Sequence, residues 1–226
     1  MSIPTEPIGS IPRPPELIAA IQARALGQTK PSFATYPLQG LPNLAPDGVT
    51  IPFADGHTRQ LPRLTAGPFR YRTNRVLRRF SPGERTRIGV HTCPGGDRDA
   101  THSAEVDYAA LLPSLFEIQA GNFYLQMASE KDPRRVLAIV RRHARPDQRI
   151  FVGVTDPLNP RVETPEQVCD RVLEAAEFIP PDRLGSTDDC GFSPFSDDTS
   201  TDRDTAFAKI RARVAGTAMA AARLRL

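Results

Sequence analysis

RIFVGVTDPLNPRVETPEQVCDRVLEAAEFIPPDRLGSTDDCG, residues 149–191, is the stretch that decides the fold. Arg149 to Val154 is a short run of β-branched and aromatic residues, the composition of a strand. Thr164-Pro165-Glu166 then opens a helix with a hydroxyl cap and a proline at the first helical position. Val168, Val172, Ala175, Ala176 and Ile179 follow at helical spacing. Leu184 to Thr187 predicts a second strand, which runs into Asp188-Asp189-Cys190. Two strands joined through a helix lie parallel, because a parallel pair needs a crossover where an antiparallel pair needs only a tight turn.

The same alternation extends upstream and downstream. Arg87 to His91 predicts a strand, Ser103 to Leu112 a helix, Ser114 to Gln119 a strand, and Asp132-Pro133 the start of a helix that buries Val136, Leu137, Ile139 and Val140. Asp202 to Leu224 closes the chain as a long helix. Four consecutive strand-helix units imply an α/β protein with a parallel sheet, open or closed. Before Arg87 the strand signal is confined to the neighbourhood of Ile8 and to a hairpin-like stretch from Val49 to Leu61.

Composition limits the partners. With 226 residues and 39% apolar content the chain supports one substantial core, so a single domain spanning residues 1–226 is the expectation. No apolar run is long enough to span a membrane, and Met1 to Ser10 lacks the basic start and apolar stretch of a secretory signal. A soluble, cytosolic protein without membrane contact is predicted. Three cysteines cannot all pair within one chain, and a reducing compartment leaves them as thiols. The arginines crowded between Arg70 and Arg87 lack any nucleic-acid-reading motif, and the net charge is only +3, so no nucleic-acid partner is expected.

Cysteine and histidine placement points to chemistry. His91-Thr92-Cys93 and, about a hundred residues later, Cys190 offer an imidazole and two thiolates to a zinc ion. A structural finger takes its ligands from close CxxC pairs, whereas separations this long suit a catalytic ion held where several strands end. His91 and Cys93 fall at the end of one predicted strand, Glu117 near the end of the next and Cys190 just past the last. In a (β/α)8 barrel that edge is the active face.

The ordered set Ile8-Gly9-Ser10, His91-x-Cys93, Glu117, Val154-Thr155-Asp156, Ile179-Pro180-x-x-Arg183-Leu184 and Asp189-Cys190-Gly191 resembles the catalytic barrel of the cobalamin-independent methionine synthase family. The resemblance runs from the N-terminus to about Gly216. It implies a (β/α)8 TIM-barrel-like fold and a Zn2+ site formed by His91, Cys93, Glu117 and Cys190. It also implies that Ile8, Gly9 and Ser10 help hold homocysteine, that Asp189 lies among the substrate-binding residues, and that a methyl group passes from a methyl-folate or methyl-corrinoid donor to the homocysteine thiol, giving methionine. The chain resembles the short, core-only relatives. Another thiol alkylation, of the type that opens an epoxide with coenzyme M, and a non-catalytic zinc-binding remnant are the alternatives.

Measured against that family the barrel is incomplete. Gly27-Gln28-Thr29 and the stretch at residues 72–74 stand where the short relatives carry strand-helix units and two carboxylates that contact the substrate amine. At roughly 3.3 Å per extended residue such stubs replace neither a strand nor its crossover helix. Internal deletions near 27–29 and 72–74 leave a sheet edge, which predicts a homo-oligomer or self-association.

Rival readings attach to several residues. Glu105, in a predicted exposed helix, competes with Glu117 as ligand. Cys169 lies beside Val168 within a helix and is expected to pack, as buried thiols do. His102 suits a helix start, His57 a turn and His143 a helix end, where a cation favours the dipole. Asp188 or Asp189 is positioned to orient His91 or receive an amine, or simply to end a strand. Asp197 and Asp198 suit the cap region of the last helix. Cys93-Pro94-Gly95-Gly96-Asp97 lacks the lysine and spacing of a phosphate loop.

Overall fold

The computed structural model describes residues 2–8, 11–19, 49–52, 58–61, 66–93, 107–193 and 199–226. In chain order its elements are β1 (Val49–Pro52), β2 (Thr58–Leu61), α1 (Ala66–Leu77), α2 (Pro82–Arg85), β3 (Gly89–Thr92) and α3 (Tyr108–Leu115). They continue with β4 (Asn122–Leu125), α4 (Pro133–His143), β5 (Arg149–Thr155), α5 (Pro165–Ala176), β6 (Leu184–Asp188) and α6 (Arg203–Arg223). β1 and β2 form the antiparallel hairpin expected between Val49 and Leu61. No described helix is long and apolar enough to cross a membrane.

Three helices begin where capping chemistry places them. The Asp132 carboxylate accepts from the Arg135 amide at 3.0 Å, the Thr164 hydroxyl from Gln167 at 3.2 Å, and the Asp202 carboxylate from Thr205 at 2.8 Å. Each supplies an acceptor to a first-turn N–H that has no partner within the helix. Val136, Leu137 and Val140 of α4 and Val168, Cys169, Val172 and Ala175 of α5 face the core, so the packing role expected of Cys169 holds.

β3, β4, β5 and β6 form one parallel sheet in sequential order. Beside β6 the N-terminal segment adds a parallel bridge between Thr5 and Ser186, with Glu6 N–H donating to the Ser186 carbonyl and Ser186 N–H to that of Pro4, both at 3.0 Å. The α/β class and parallel sheet are as anticipated, with fewer strands among the described residues than the eight of a closed barrel. Phe123, Leu125, Ile150, Val152, Val154 and Leu184 are all within 1% of complete burial and form the core's sheet side, against α3 to α6.

The expected strand from Ser114 to Gln119 does not exist. Helix α3 continues through Leu115 despite Pro113, and the strand that follows is Asn122–Leu125. Leu112, Phe116 and Ile118 are wholly buried, so packing outweighs the hydrogen bond that the proline removes. The run from Leu111 to Ile118 is a helix end and turn, and Gly121 marks where the sheet begins.

Helix α6, the expected long closing helix, carries two buried cations. Lys209, fully buried, donates to Glu163 Oε2 at 2.8 Å and to the Arg161 carbonyl at 2.6 Å. One turn on, Arg213 Nε lies 3.0 Å from Asp188 Oδ1, and its Nη1 donates to Thr5 Oγ1 at 2.6 Å. These contacts tie α6 to the β5–α5 loop, to the end of β6 and to the N-terminal segment.

Removing one member of a buried pair strands the other charge away from water. Lys209→Met is expected to lower the unfolding free energy by about 3–5 kcal/mol in urea denaturation, with partial recovery when Glu163→Gln is added. A single variant as stable as the parent contradicts the pairing.

Candidate metal centre

Because the strands run parallel, β3 and β6 end on the same edge of the sheet, but they are its two outer members. In a flat sheet three inter-strand steps of about 4.8 Å would hold their ends some 14 Å apart. Instead His91 Nε2 lies 3.7 Å from Cys190 Sγ. The sheet therefore curls like an arc of a barrel wall, and side chains from its two ends meet over the inner face. The ligand atoms of His91, Cys93 and Cys190 all lie within 4.8 Å of one another.

Two features prepare this cluster for a cation. His91 Nδ1 is 3.2 Å from the Tyr124 carbonyl. A carbonyl only accepts, so Nδ1 carries the proton and Nε2 presents its lone pair toward the cysteines. Metal-binding histidines are commonly held in this way. The 3.7 Å edge between nitrogen and sulfur also suits a tetrahedral zinc site, where bond lengths near 2.0 and 2.3 Å place ligands about 3.5 Å apart.

The electrostatics agree. A hydrogen bond with Cys93, then burial and the neighbouring Cys93, Asp189 and Asp156 charges, push the Cys190 thiol far above the ordinary thiol range. Two thiolates this close repel each other, and a divalent cation between them reverses that repulsion. No disulfide joins the three cysteines.

The surrounding residues fix the strand ends. Tyr108, buried on α3, donates its hydroxyl proton to the Thr92 carbonyl at 2.9 Å, so the 2.7 Å contact with Thr92 Oγ1 has the threonine as donor. Cys93 thus follows an anchored residue. On the inner face Tyr124 stacks on Phe151 with centroids 4.6 Å apart, and its hydroxyl donates to Glu6 of the N-terminal segment.

Asp189 has a different task from the substrate contact expected of it. Its Oδ1 accepts from the Met127 and Ala128 amides, and its Oδ2 from the Ser129 amide and hydroxyl, all between 2.7 and 2.8 Å. Only 2% of the residue is exposed. Burial pushes its carboxyl up to about 6, against hydrogen bonds that favour the anion. Asp189 thereby clamps the loop after β4 to the end of β6, immediately before Cys190. Gly153 makes room for it, since a Cβ there would lie 1.9 Å from Asp189 Oδ1. Ser129 and Gly153 drew no attention in the sequence because their partner lies far along the chain.

Glu117 is not part of the cluster. It lies in the turn between α3 and β4, where its carbonyl accepts from Asn74 Nδ2 at 3.0 Å, and it lines a cavity of about 430 Å³ with Arg85, Gly121, Arg145 and Asp147. That cavity is at the amino-terminal end of the strands, while the cysteines are at the carboxyl end. Taking Ser114 to Gln119 as a strand had moved the residue to the wrong edge. Asp188 is occupied by Thr155 Oγ1 at 2.6 Å and by Arg213. Ile8 lies just beyond the segment bridged to β6. Gly9, Ser10, His57, His102, Glu105, Asp197, Asp198 and residues 94–97 lie outside the described residues.

Comparison with known proteins gives consistent matches. The family described as Cobalamin-independent synthase, Catalytic domain, matches residues 88–214, more than half of the chain. Methionine synthase of Thermococcus kodakarensis is 28% identical over 116 residues, covering 51% of this chain and 30% of that protein. Methionine synthase of Saccharolobus solfataricus is 27% identical over 137 residues, covering 60% and 35%. The 2-hydroxypropyl-CoM lyase of Xanthobacter autotrophicus is 31% identical over 84 residues, covering 36% and 22%. The chain thus spans about a third or less of the length of these relatives. A solved B12-independent methionine synthase from Shewanella sp. W3-18-1, in complex with selenomethionine, is 22% identical with a TM-score of 0.46, covering 60% of this chain and 39% of that one.

The clamp is testable through the glycine beneath it. Gly153→Ala is expected to cost about 1–3 kcal/mol of stability and to lower zinc retained after gel filtration. Gly83→Ala, at a site where a Cβ meets nothing within 4 Å, leaves retention unchanged. Equal retention in both variants contradicts the clamp.

Proposed function

Because the chain belongs to the cobalamin-independent methionine synthase family through its catalytic domain, we propose that it holds zinc with His91, Cys93 and Cys190 and methylates a small thiol, homocysteine. The observation that carries this reading is the convergence of the three donor atoms, with His91 Nδ1 held by the Tyr124 carbonyl and Nε2 turned toward Cys190. The donor set fits the ion, since an imidazole and two thiolates leave a tetrahedral position for a substrate atom.

When bound, zinc lowers the pKa of a coordinated thiol and so keeps a thiolate nucleophile available at neutral pH. The protein's part is placement. His91, fixed by the Tyr124 carbonyl, and Cys190, fixed through the Asp189 clamp, hold their geometry with little freedom to reorganise. Two cysteine thiolates offset the charge of the ion, so the substrate sulfur keeps its electron density. In the transfer, a sulfur–carbon bond forms as the bond between the methyl group and its folate nitrogen or corrinoid cobalt breaks. The leaving group keeps the electron pair, and a folate nitrogen then takes a proton.

A second reading keeps the same site and changes both the thiol, to coenzyme M, and the electrophile. Its support is the relative named 2-hydroxypropyl-CoM lyase, matched at a level similar to the two methionine synthases. An epoxide carbon would then replace the methyl group, with the ring oxygen leaving as an alkoxide.

Zinc-loaded protein is expected to form methionine from homocysteine with a methyl-folate or methyl-corrinoid donor. Cys190→Ser should abolish turnover and weaken zinc by more than the roughly 10–100-fold that loss of an outer-shell partner costs. Product analysis that finds a hydroxyalkyl thioether in place of methionine favours the second reading. A folded, zinc-loaded chain that turns over no thiol with any of these electrophiles contradicts both and identifies a metal-holding remnant.

A further inference from the structure

Gln126 occupies the place beside Cys93 where β4 leaves the sheet. The pairing of β3 with β4 runs from Gly89 with Asn122 to Thr92 with Leu125, and the Gln126 amide continues the ladder by donating to the Thr92 carbonyl at 3.2 Å. Alternate residues of a strand share a face, so Gln126 lies on the face that carries Tyr124 and, on the neighbouring strand, His91. Only 7% of it is exposed.

Its carboxamide is oriented by a chain of hydrogen bonds. The Ser129 hydroxyl gives its single proton to Asp189 Oδ2 at 2.7 Å. Toward Gln126, 2.8 Å away, that oxygen can therefore only accept, so Nε2 is the group facing it. Oε1 is thereby turned the other way, buried and without a hydrogen-bond partner among the described residues. A buried amide oxygen deliberately kept from donors, on the face and at the strand end that carry a His-Cys-Cys cluster, is matched to a cation.

We propose that Gln126 Oε1 is a neutral oxygen donor to the ion held by His91, Cys93 and Cys190, filling the fourth tetrahedral position until a substrate sulfur displaces it. The inference rests on the metal reading above and adds to it a residue whose amide is oriented by Asp189 through Ser129. With two thiolates, a neutral imidazole and a neutral amide, a dication is balanced to a net charge of zero. The carboxylate ligand expected at Glu117 would have made the site an anion. A neutral site repels an incoming thiolate less.

The test uses the full chain loaded with zinc or cobalt(II), comparing the parent with Gln126→Ala and with Gln126→Glu, which keeps the side-chain volume. Zinc affinity is read by competition with a chromophoric chelator, and coordination by the ligand-field and sulfur-to-cobalt charge-transfer bands. Gln126→Ala should weaken zinc about 10-fold or more and shift the ligand-field bands while the thiolate charge-transfer bands persist. Gln126→Glu should bind more tightly than the parent, because it exchanges a dipole for a charge. If Gln126→Ala fails to fold, the Gln126→Glu comparison alone decides. Parent-like affinity and parent-like ligand-field bands in the folded variants overturn the role of Gln126 and leave the three-residue site intact. A parent chain that binds neither metal overturns both.

Discussion

The carboxylate of Asp189 is the point through which the carboxyl-terminal edge of the sheet is assembled. Four donors from the loop after β4 close on it, Gly153 of β5 gives it space, and the next residue is Cys190. β4, β5 and β6 are thereby locked together where their side chains have to converge. A buried carboxylate with this many donors acts over short distances and in fixed directions, which apolar packing does not. Curling brings the ends of β3 and β6 close, and the clamp sets where the sulfur of Cys190 lies.

Behind the sheet a second set of buried charges holds the frame. Lys209 and Arg213 are one helical turn apart on α6 and reach Glu163 in the β5–α5 loop and Asp188 at the end of β6, while Thr5 draws the N-terminal segment into the same network. Gly216 on that helix lets it lie against α5, where a Cβ would lie 2.5 Å from that of Val168. The outer layer is thus fixed by charge and close packing together. The inner face, with Tyr124, Phe151 and His91, is left to chemistry.

Much of this was legible where the signal is local. Caps at Asp132 and Thr164, the helical spacing of Val168, Val172 and Ala175, and the pairing of His91 with Cys93 each depend on residues a few positions apart. The distant Cys190 became readable once the strands were known to be parallel, because parallel strands share an edge. What failed was register between α3 and β4. Leu111 to Ile118 is apolar without a clear period, and a helix end and a buried strand look alike there. Glu117 was misplaced with it, and Gln126, at the true strand end, was overlooked. The partners of Asp189 lie 60 to 62 residues away, and those of Lys209 and Arg213 are as invisible to local pattern.

Convergence of strand ends on one ion is the centre of this account, and X-ray absorption at the zinc edge of the purified chain tests it most directly. Two sulfur scatterers at about 2.3 Å with nitrogen or oxygen scatterers near 2.0 Å are predicted. A zinc-loaded chain whose first shell holds only oxygen and nitrogen would show that Cys93 and Cys190 do not meet at a metal, and would contradict it.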